Sequence, residues 1–169
     1  MHLPKRKKGL ARGSKSLPNG KKKKIGINSW GQPNQENSET NTYSSDIGFQ
    51  VCMNLFIIYE SFKDFANDHI ALVVEGLEEC YNISHVAWFD LKEKIRDAWK
   101  RFKSHLNTTL IVGNILGNVK AFLALEFVLR EDWVMFIDYC NSEKFLVYVY
   151  VILTYPCVGV FFLSFERLS

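Results

Sequence analysis

The stretch that decides the fold is WFDLKEKIRDAWKRFKSHL, residues 88–106. Large apolar side chains recur in it at every third or fourth position: Trp88, Leu91, Ile95, Trp99, Phe102 and Leu106. This spacing places them along one side of an α-helix. The acid–base pairs Asp90 with Lys94 and Asp97 with Arg101 are four residues apart on the solvent side, where such pairs support a helix. The stretch therefore predicts an amphipathic helix that packs its apolar stripe against a core.

Two further helical patterns precede this stretch. The first begins at Ser45 and Asp46, residue types that cap helices, and the second begins at Asn67 and Asp68. The first carries apolar residues at helical spacing: Ile47, Val51, Leu55, Ile58, Phe62 and Phe65. Three helices joined by short connections predict antiparallel neighbours.

Two apolar segments follow the decisive stretch, at residues 110–129 and 132–140. With them, the predicted fold class is mostly α: a small antiparallel helical bundle, preceded by a disordered basic N-terminal arm and followed by a C-terminal hydrophobic segment. The predicted division is an arm and polar linker at 1–44, a helical domain at 45–141 and the hydrophobic segment at 142–169.

The N-terminal arm differs from the rest of the chain in charge. Residues 1–24 contain ten of the 21 Lys and Arg residues and no acid, which leaves eleven bases against all 18 acids elsewhere, a net charge of −7. So charged a segment, with few large apolar residues, cannot bury enough surface to offset the entropy lost on ordering. Trp30 is the one bulky residue of the linker, available to dock on the body or on a partner.

The bases of the arm form two clusters with twelve residues between them: Lys5, Arg6, Lys7 and Lys8, then Lys21, Lys22, Lys23 and Lys24. This pattern resembles a bipartite nuclear-import signal, which implies an importin-type receptor that binds an extended, basic backbone. The same charges suit nucleic-acid phosphates or anionic lipid head groups, and a merely solvated tail remains an alternative.

A second candidate polyanion-contacting surface lies on the decisive stretch itself. Its bases share one helical face: Lys92, Arg96, Lys100 and Lys103. A charged face opposite an apolar stripe is most often only solvated.

The hydrophobic segment contains FLVYVYVILTYPCVGVFFLSF, residues 145–165, which are 21 residues without a charge. A helix of about 20 apolar residues crosses the hydrocarbon core of a bilayer, so this run is a candidate transmembrane helix. Pro156 and the β-branched residues leave a buried hairpin as the alternative.

The sequence contains no known pattern of catalytic or metal-binding residues. His69, His85 and His105 lie on separate segments, the four cysteines include no C-x-x-C pair, and phosphate-binding and nucleophile motifs are absent from the sequence. We therefore expect no catalytic residues, no metal site and no cofactor.

Together these features predict a non-enzymatic adaptor or interaction protein. It would be anchored in the nuclear or ER membrane through 145–165, with the helical body on the cytosolic or nucleoplasmic side, where it binds a protein partner. The alternative is a soluble nuclear helical protein that binds a partner protein or nucleic acid.

Overall fold

The computed structural model describes residues 20–33, 38–121 and 128–154, and this part of the chain is mostly helical. Its helices are α1 (Ser38–Asn54), α2 (Asn67–Glu78), α3 (Trp88–Leu106), α4 (Leu116–Ala121), α5 (Arg130–Cys140) and α6 (Glu143–Thr154). Two short strands, β1 (Lys23–Lys24) and β2 (Tyr81–Asn82), pair in parallel. Contacts divide the chain into an N-terminal unit, Met1–His105, and a C-terminal unit, Leu106–Ser169.

The core of the N-terminal unit forms where α1 packs on α2 and the apolar stripe of α3 joins them. Val51 of α1, Val73 of α2 and Ile95 of α3 have no exposed surface. Leu91 and Trp99 belong to the same buried cluster, so the predicted stripe faces this core from Leu91 to Trp99, whereas Trp88 is exposed. Helix α2 begins at Asn67, but its N-cap is Ala66, which makes no side-chain capping hydrogen bond, so the predicted cap at Asn67 and Asp68 is wrong.

Helix α1 differs from the predicted pattern at both ends. It begins at Ser38, before the predicted cap, and it ends at Asn54 instead of continuing to Phe65. The chain then reaches a 3₁₀ turn, Phe62–Asp64, in which Ser61 accepts a hydrogen bond from the Lys63 N–H while Asp64 accepts one from the Ser61 N–H. This capping box starts a new helical turn, which separates the segment from α1.

The segment between α1 and α2 is held by Trp99 of α3. The indole N–H of Trp99 donates to the carbonyl oxygen of Phe56 at 3.1 Å, and its ring lies 5.4 Å from that of Phe65 in an edge-to-face arrangement. Leu55, Phe62 and Phe65 are all buried. The apolar spacing therefore predicted the burial of these three residues although α1 ends at Asn54, but Ile58 is only half-buried and its neighbour Ile57 is buried instead.

Residues 20–33 belong to the N-terminal unit, in contrast with the predicted start of the body at residue 45. Strand β1 pairs with β2 in the register Lys23 to Tyr81 and Lys24 to Asn82, and Ile25 is buried in the core. The burial of Ile25 and the pairing of Lys23 and Lys24 with β2 therefore contribute to docking this polar segment. Residues 1–19 of the predicted arm lie outside the described residues.

The C-terminal unit begins with the π-helical turn Asn107–Ile111 and continues through α4, α5 and α6. Trp133 of α5 is buried, and its indole N–H donates to the carbonyl oxygen of Val119 in α4 at 2.9 Å. Lys120 and Asp138 add an ion pair at 2.5 Å between the same two helices. Gly113, with φ of +79°, lies between the π-helical turn and α4, so the pattern at 110–129 does not begin as one continuous helix.

Helix α6 contains the first part of the candidate transmembrane run, residues 145–154, and residues 155–165 lie outside the described part of the chain. Leu146 and Val147 of α6 are each more than half exposed. No helix within the described ranges combines the length and the apolar character needed to cross a bilayer.

Candidate interaction surface

The N-terminal segment lies alongside residues 81–87, which lead into α3. After the β1–β2 pairing, Nε2 of His85 hydrogen-bonds the carbonyl oxygen of Ile25 at 2.9 Å. Further along, the N–H of Ala87 donates to the carbonyl oxygen of Gly31 at 3.1 Å. These contacts bring the loop around Trp30 next to the first turn of α3.

The loop at residues 28–33 is tied by its own hydrogen bonds. Oδ1 of Asn28 accepts the N–H groups of Trp30 at 2.9 Å and Gln32 at 3.0 Å, and the Asn28 N–H donates to the carbonyl oxygen of Gln32 at 2.9 Å. Gly31 has φ of +73°, and a Cβ placed on it would lie 3.3 Å from the Cβ of Ala87. Glycine is therefore the residue that suits both the left-handed turn and the close approach to α3.

Three large aromatic side chains are exposed where this loop meets α3. Trp30 is 80% exposed, Trp88 55% and Phe89 77%. The backbones that carry them adjoin, because the contact between Gly31 and Ala87 joins the chain neighbours of Trp30 and Trp88. Exposed apolar residues on adjoining segments are candidates for a binding surface. We call Trp30, Trp88 and Phe89 the aromatic surface.

The acids nearest to the aromatic surface are engaged in local contacts. Asp90 accepts a hydrogen bond from the Gln32 side chain at 3.5 Å and lies 4.0 Å from Nζ of Lys94. Glu93 pairs with Arg96 at 2.5 Å. Lys92, one turn after Trp88 and Phe89 on the same side of α3, is exposed. Lys92 therefore presents an exposed positive charge near the rings, whereas the negative charges of Asp90 and Glu93 lie close to bases of the same helix.

The second basic cluster of the sequence lies at the start of the docked segment. Lys21, Lys22 and Lys24 are exposed, whereas Lys23 is half-buried. The N–H of Lys23 donates to the carbonyl oxygen of Cys80 at 2.8 Å, and its Nζ lies 5.4 Å from the ring centroid of Tyr81. The first cluster (Lys5, Arg6, Lys7 and Lys8) lies outside the described residues.

The four bases predicted as a polyanion-contacting face do share one side of α3, because they follow each other at intervals of four, four and three residues. Arg96, however, contacts Glu93 at 2.5 Å and Asp97 at 3.5 Å. Lys103 places Nζ 4.4 Å from the ring centroid of Trp99 and donates to the carbonyl oxygen of Tyr59. A polyanion would compete with these contacts at Arg96 and Lys103.

A buried polar cluster lies on the other side of the docked segment, among α1 and β2. The Tyr81 hydroxyl donates to Oδ2 of Asp46 at 2.5 Å, and the Tyr43 ring packs edge-to-face on Tyr81 at 5.1 Å. Burial, with the charges of Asp90 and Tyr81, raises the pKa of Tyr43 above its usual range. A phenol that is fully buried and harder to ionise suits packing better than proton transfer with a solvent-borne substrate.

Chemical groups that hold metals are dispersed in this structure. Within residues 20–33, 38–121 and 128–154, no three His, Cys, Asp or Glu side chains lie together as metal ligands would. Cys52, Cys80 and Cys140 are in the thiol form.

Comparison with known proteins found no matching family model, no similar curated protein and no similar solved structure. The surfaces of the chain itself are therefore the basis for proposing its function.

Sequence reasoning missed most of the aromatic surface. Trp88 was assigned to the apolar stripe, but it is the first residue of α3, and the stripe reaches the core only from Leu91 onward. The available signal was Phe89, a large aromatic residue that lies about 100° around the helix from Trp88 and outside the stripe of Leu91, Ile95 and Trp99. The position of Trp30 depends on its loop packing against Ala87, a contact between distant residues.

Proposed function

We propose that this chain is a non-enzymatic interaction protein whose N-terminal unit binds its partner through the aromatic surface of Trp30, Trp88 and Phe89. The observation that supports this most strongly is that Trp30 is 80% exposed on a loop whose backbone is already tied by Asn28. A pre-ordered loop loses little conformational entropy on binding. Exposed Trp side chains are also among the commonest sources of binding energy in protein interfaces.

The second part of the proposal is membrane attachment through residues 145–165, with the body on the cytosolic or nucleoplasmic side of the nuclear or ER membrane. It is supported by the uncharged 21-residue run and by the exposed Leu146 and Val147 at its start. The antiparallel packing of the helices that the sequence predicts is part of the same proposal.

A soluble nuclear protein that binds a partner protein or nucleic acid, directed by a bipartite import signal, is the second candidate. The exposure of Lys21, Lys22 and Lys24 favours it. The pairing of β1 with β2 weighs against it, because an importin-type receptor needs an extended backbone that is not already bonded, and the Lys23 N–H is bonded to Cys80.

A photo-crosslinking experiment in cells tests the aromatic surface. A photoreactive phenylalanine analogue replaces Trp30 in the full chain, and in a matched control it replaces Leu72, a 47%-exposed apolar residue of α2. We expect a discrete crosslinked species from position 30 and none from position 72. Equal crosslinking at both positions would overturn the binding role of the surface, and the absence of a crosslinked protein at both positions would overturn a protein as its partner.

Membrane attachment is tested by fractionation. The full chain should remain with membranes after alkaline carbonate, because a spanning helix resists extraction, whereas a chain lacking 145–169 should be released. Release of the full chain by carbonate would contradict the anchor and leave the crosslinking result intact.

A further inference from the structure

The chemistry of the aromatic surface is that of side chains at a membrane–water boundary. The indole rings of Trp30 and Trp88 combine an apolar body with one N–H donor, and such rings concentrate at the head-group level of bilayers. Rings that are 80% and 77% exposed, as those of Trp30 and Phe89 are, project from the protein instead of lining a groove. Projecting rings can enter a fluid, featureless layer without a shaped partner.

Exposed bases lie on both segments that carry these rings, and such bases suit an anionic layer. The same docked segment that ends in the Trp30 loop begins with the exposed bases Lys21, Lys22 and Lys24. Lys92 is exposed beside Trp88 and Phe89, while Asp90 and Glu93 are near bases of their own helix. Residues 1–19 add six bases and no acid to the chain immediately before Gly20. Clusters of bases beside amphipathic aromatic residues are attracted to anionic leaflets.

We infer that the partner of the aromatic surface is an anionic bilayer surface, into which Trp30, Trp88 and Phe89 insert to head-group depth while the neighbouring lysines contact lipid phosphates. This inference rests on the proposed function and specifies its partner. Single-stranded nucleic acid also uses aromatic rings and bases, but it requires a basic groove that follows the backbone. The residues around Trp30 (Asn28, Ser29 and Gln32) are uncharged, which suits a lipid boundary better than a phosphate track.

Tryptophan fluorescence of the full chain tests this inference directly. Trp99 and Trp133 are only 2% and 1% exposed, so quenching by brominated lipid reports on Trp30 and Trp88. The chain is presented to vesicles of phosphatidylcholine alone and of phosphatidylcholine with about 30% phosphatidylserine, each brominated near the head group. We expect a blue shift and quenching with the anionic vesicles, and loss of both at high salt or when Lys21, Lys22 and Lys24 are replaced by Ser.

Two variants distinguish insertion of the aromatic surface from nonspecific adhesion of the chain to vesicles. Phe89→Ser removes one exposed ring from α3 and should reduce the quenching, while Leu72→Ser removes an exposed apolar side chain from α2 and should leave it unchanged. Both side chains lie outside the core, so the fold is retained in each variant. Equal quenching in both variants would overturn the assignment of the surface.

The remaining outcomes distinguish this inference from the proposed function. Equal quenching by neutral and anionic vesicles overturns the anionic partner. Quenching that oligothymidylate abolishes in competition identifies nucleic acid as the occupant and also overturns the bilayer. If position 30 crosslinks to a protein while no vesicle quenches the tryptophans, the proposed binding role stands and the bilayer inference fails. If neither assay detects a partner, both fail.

Discussion

At the scale of single residues, two buried tyrosines of the N-terminal unit differ in what their hydroxyl groups contact. The Tyr81 hydroxyl donates to the buried carboxylate of Asp46 at 2.5 Å. The Tyr43 hydroxyl is also buried, but it has no hydrogen-bond partner among the described residues. The two rings pack on each other, so their apolar surroundings are closely matched.

This pair predicts opposite effects for the same substitution. Tyr81→Phe removes a donor from a buried carboxylate and should lower the free energy of unfolding by about 1–3 kcal/mol. Tyr43→Phe removes a hydroxyl that was desolvated without gaining a bond, so it should be neutral or slightly stabilising. Urea unfolding followed by circular dichroism measures both values. Equal destabilisation by the two substitutions would show that the Asp46 contact contributes nothing specific.

Cys52 of α1 predicts a pH dependence of stability. Burial raises the pKa of this thiol to about 11 from an ordinary value of 9.0. The folded state thus favours the neutral thiol, and this contribution is fully present below pH 9 and is lost as the pH rises toward 11. Cys52→Ala should therefore flatten the decline in unfolding free energy between these two values.

The control for this prediction is the same variant at pH 7, where its difference from the natural chain measures packing alone. Unfolding curves at a series of pH values supply both quantities. If the variant and the natural chain decline in parallel between pH 9 and 11, the thiol does not titrate differently in the folded state, and the pH argument is wrong.

At the scale of elements, α1 and α2 pack against each other at Gly76 and Gln50. A Cβ placed on Gly76 would lie 2.2 Å from Oε1 of Gln50, whose side chain also accepts a hydrogen bond from Asn54 at 3.1 Å. Alanine is favoured over glycine within a helix by about 1 kcal/mol. The cost of moving Gln50 opposes this gain, so the net effect depends on what occupies position 50.

A double-mutant cycle resolves the two contributions. In a Gln50→Ala background, Gly76→Ala should stabilise the chain by up to about 1 kcal/mol, the helix-propensity difference. In the natural background the gain should be smaller or reversed, because Gln50 has to leave its position. Denaturant unfolding of the four chains gives the coupling energy. A coupling of zero would mean that Gln50 does not fill the space above Gly76.

Local sequence patterns identified the elements whose formation depends on local spacing. The core-facing stripe of α3 from Leu91 to Trp99 was predicted because the apolar period determines it over a few turns. Asp46 was misread as a cap because an acid before an apolar run has that pattern, whereas its actual contact is Tyr81, 35 residues away. The pairing of β1 with β2 joins residues 58 positions apart, and no local period encodes it.

At the scale of the whole molecule, the same distinction applies to the candidate sites. The basic clusters were visible in the sequence because charge is a property of single residues. The aromatic surface was not, because it depends on the hydrogen bond between the carbonyl of Gly31 and the N–H of Ala87, which brings the loop of Trp30 next to the first turn of α3. Its prediction would have required the docking of residues 20–33, which the polar composition of that segment argued against.

The docking of the second basic cluster at β1 leads to a prediction about the use of the arm as an import signal. In the full chain fused to a large reporter, replacing Lys5, Arg6, Lys7 and Lys8 with Ala should abolish nuclear accumulation. Replacing only the exposed Lys21, Lys22 and Lys24 should also reduce it, because a bipartite receptor binds both clusters. Fluorescence microscopy measures the nuclear fraction.

A matched variant distinguishes a nuclear-import signal from a general effect of net charge on nuclear accumulation. Replacing three exposed bases elsewhere, Lys92, Arg101 and Arg130, lowers the net charge by the same amount as the substitution of Lys21, Lys22 and Lys24, and it should leave the nuclear fraction unchanged. Because strand β1 holds the Lys23 backbone, receptor binding to the second cluster has to compete with the pairing to β2. Nuclear accumulation that survives loss of the first cluster, or that falls equally in the matched variant, would contradict the bipartite signal and leave electrostatic attraction as the role of the arm.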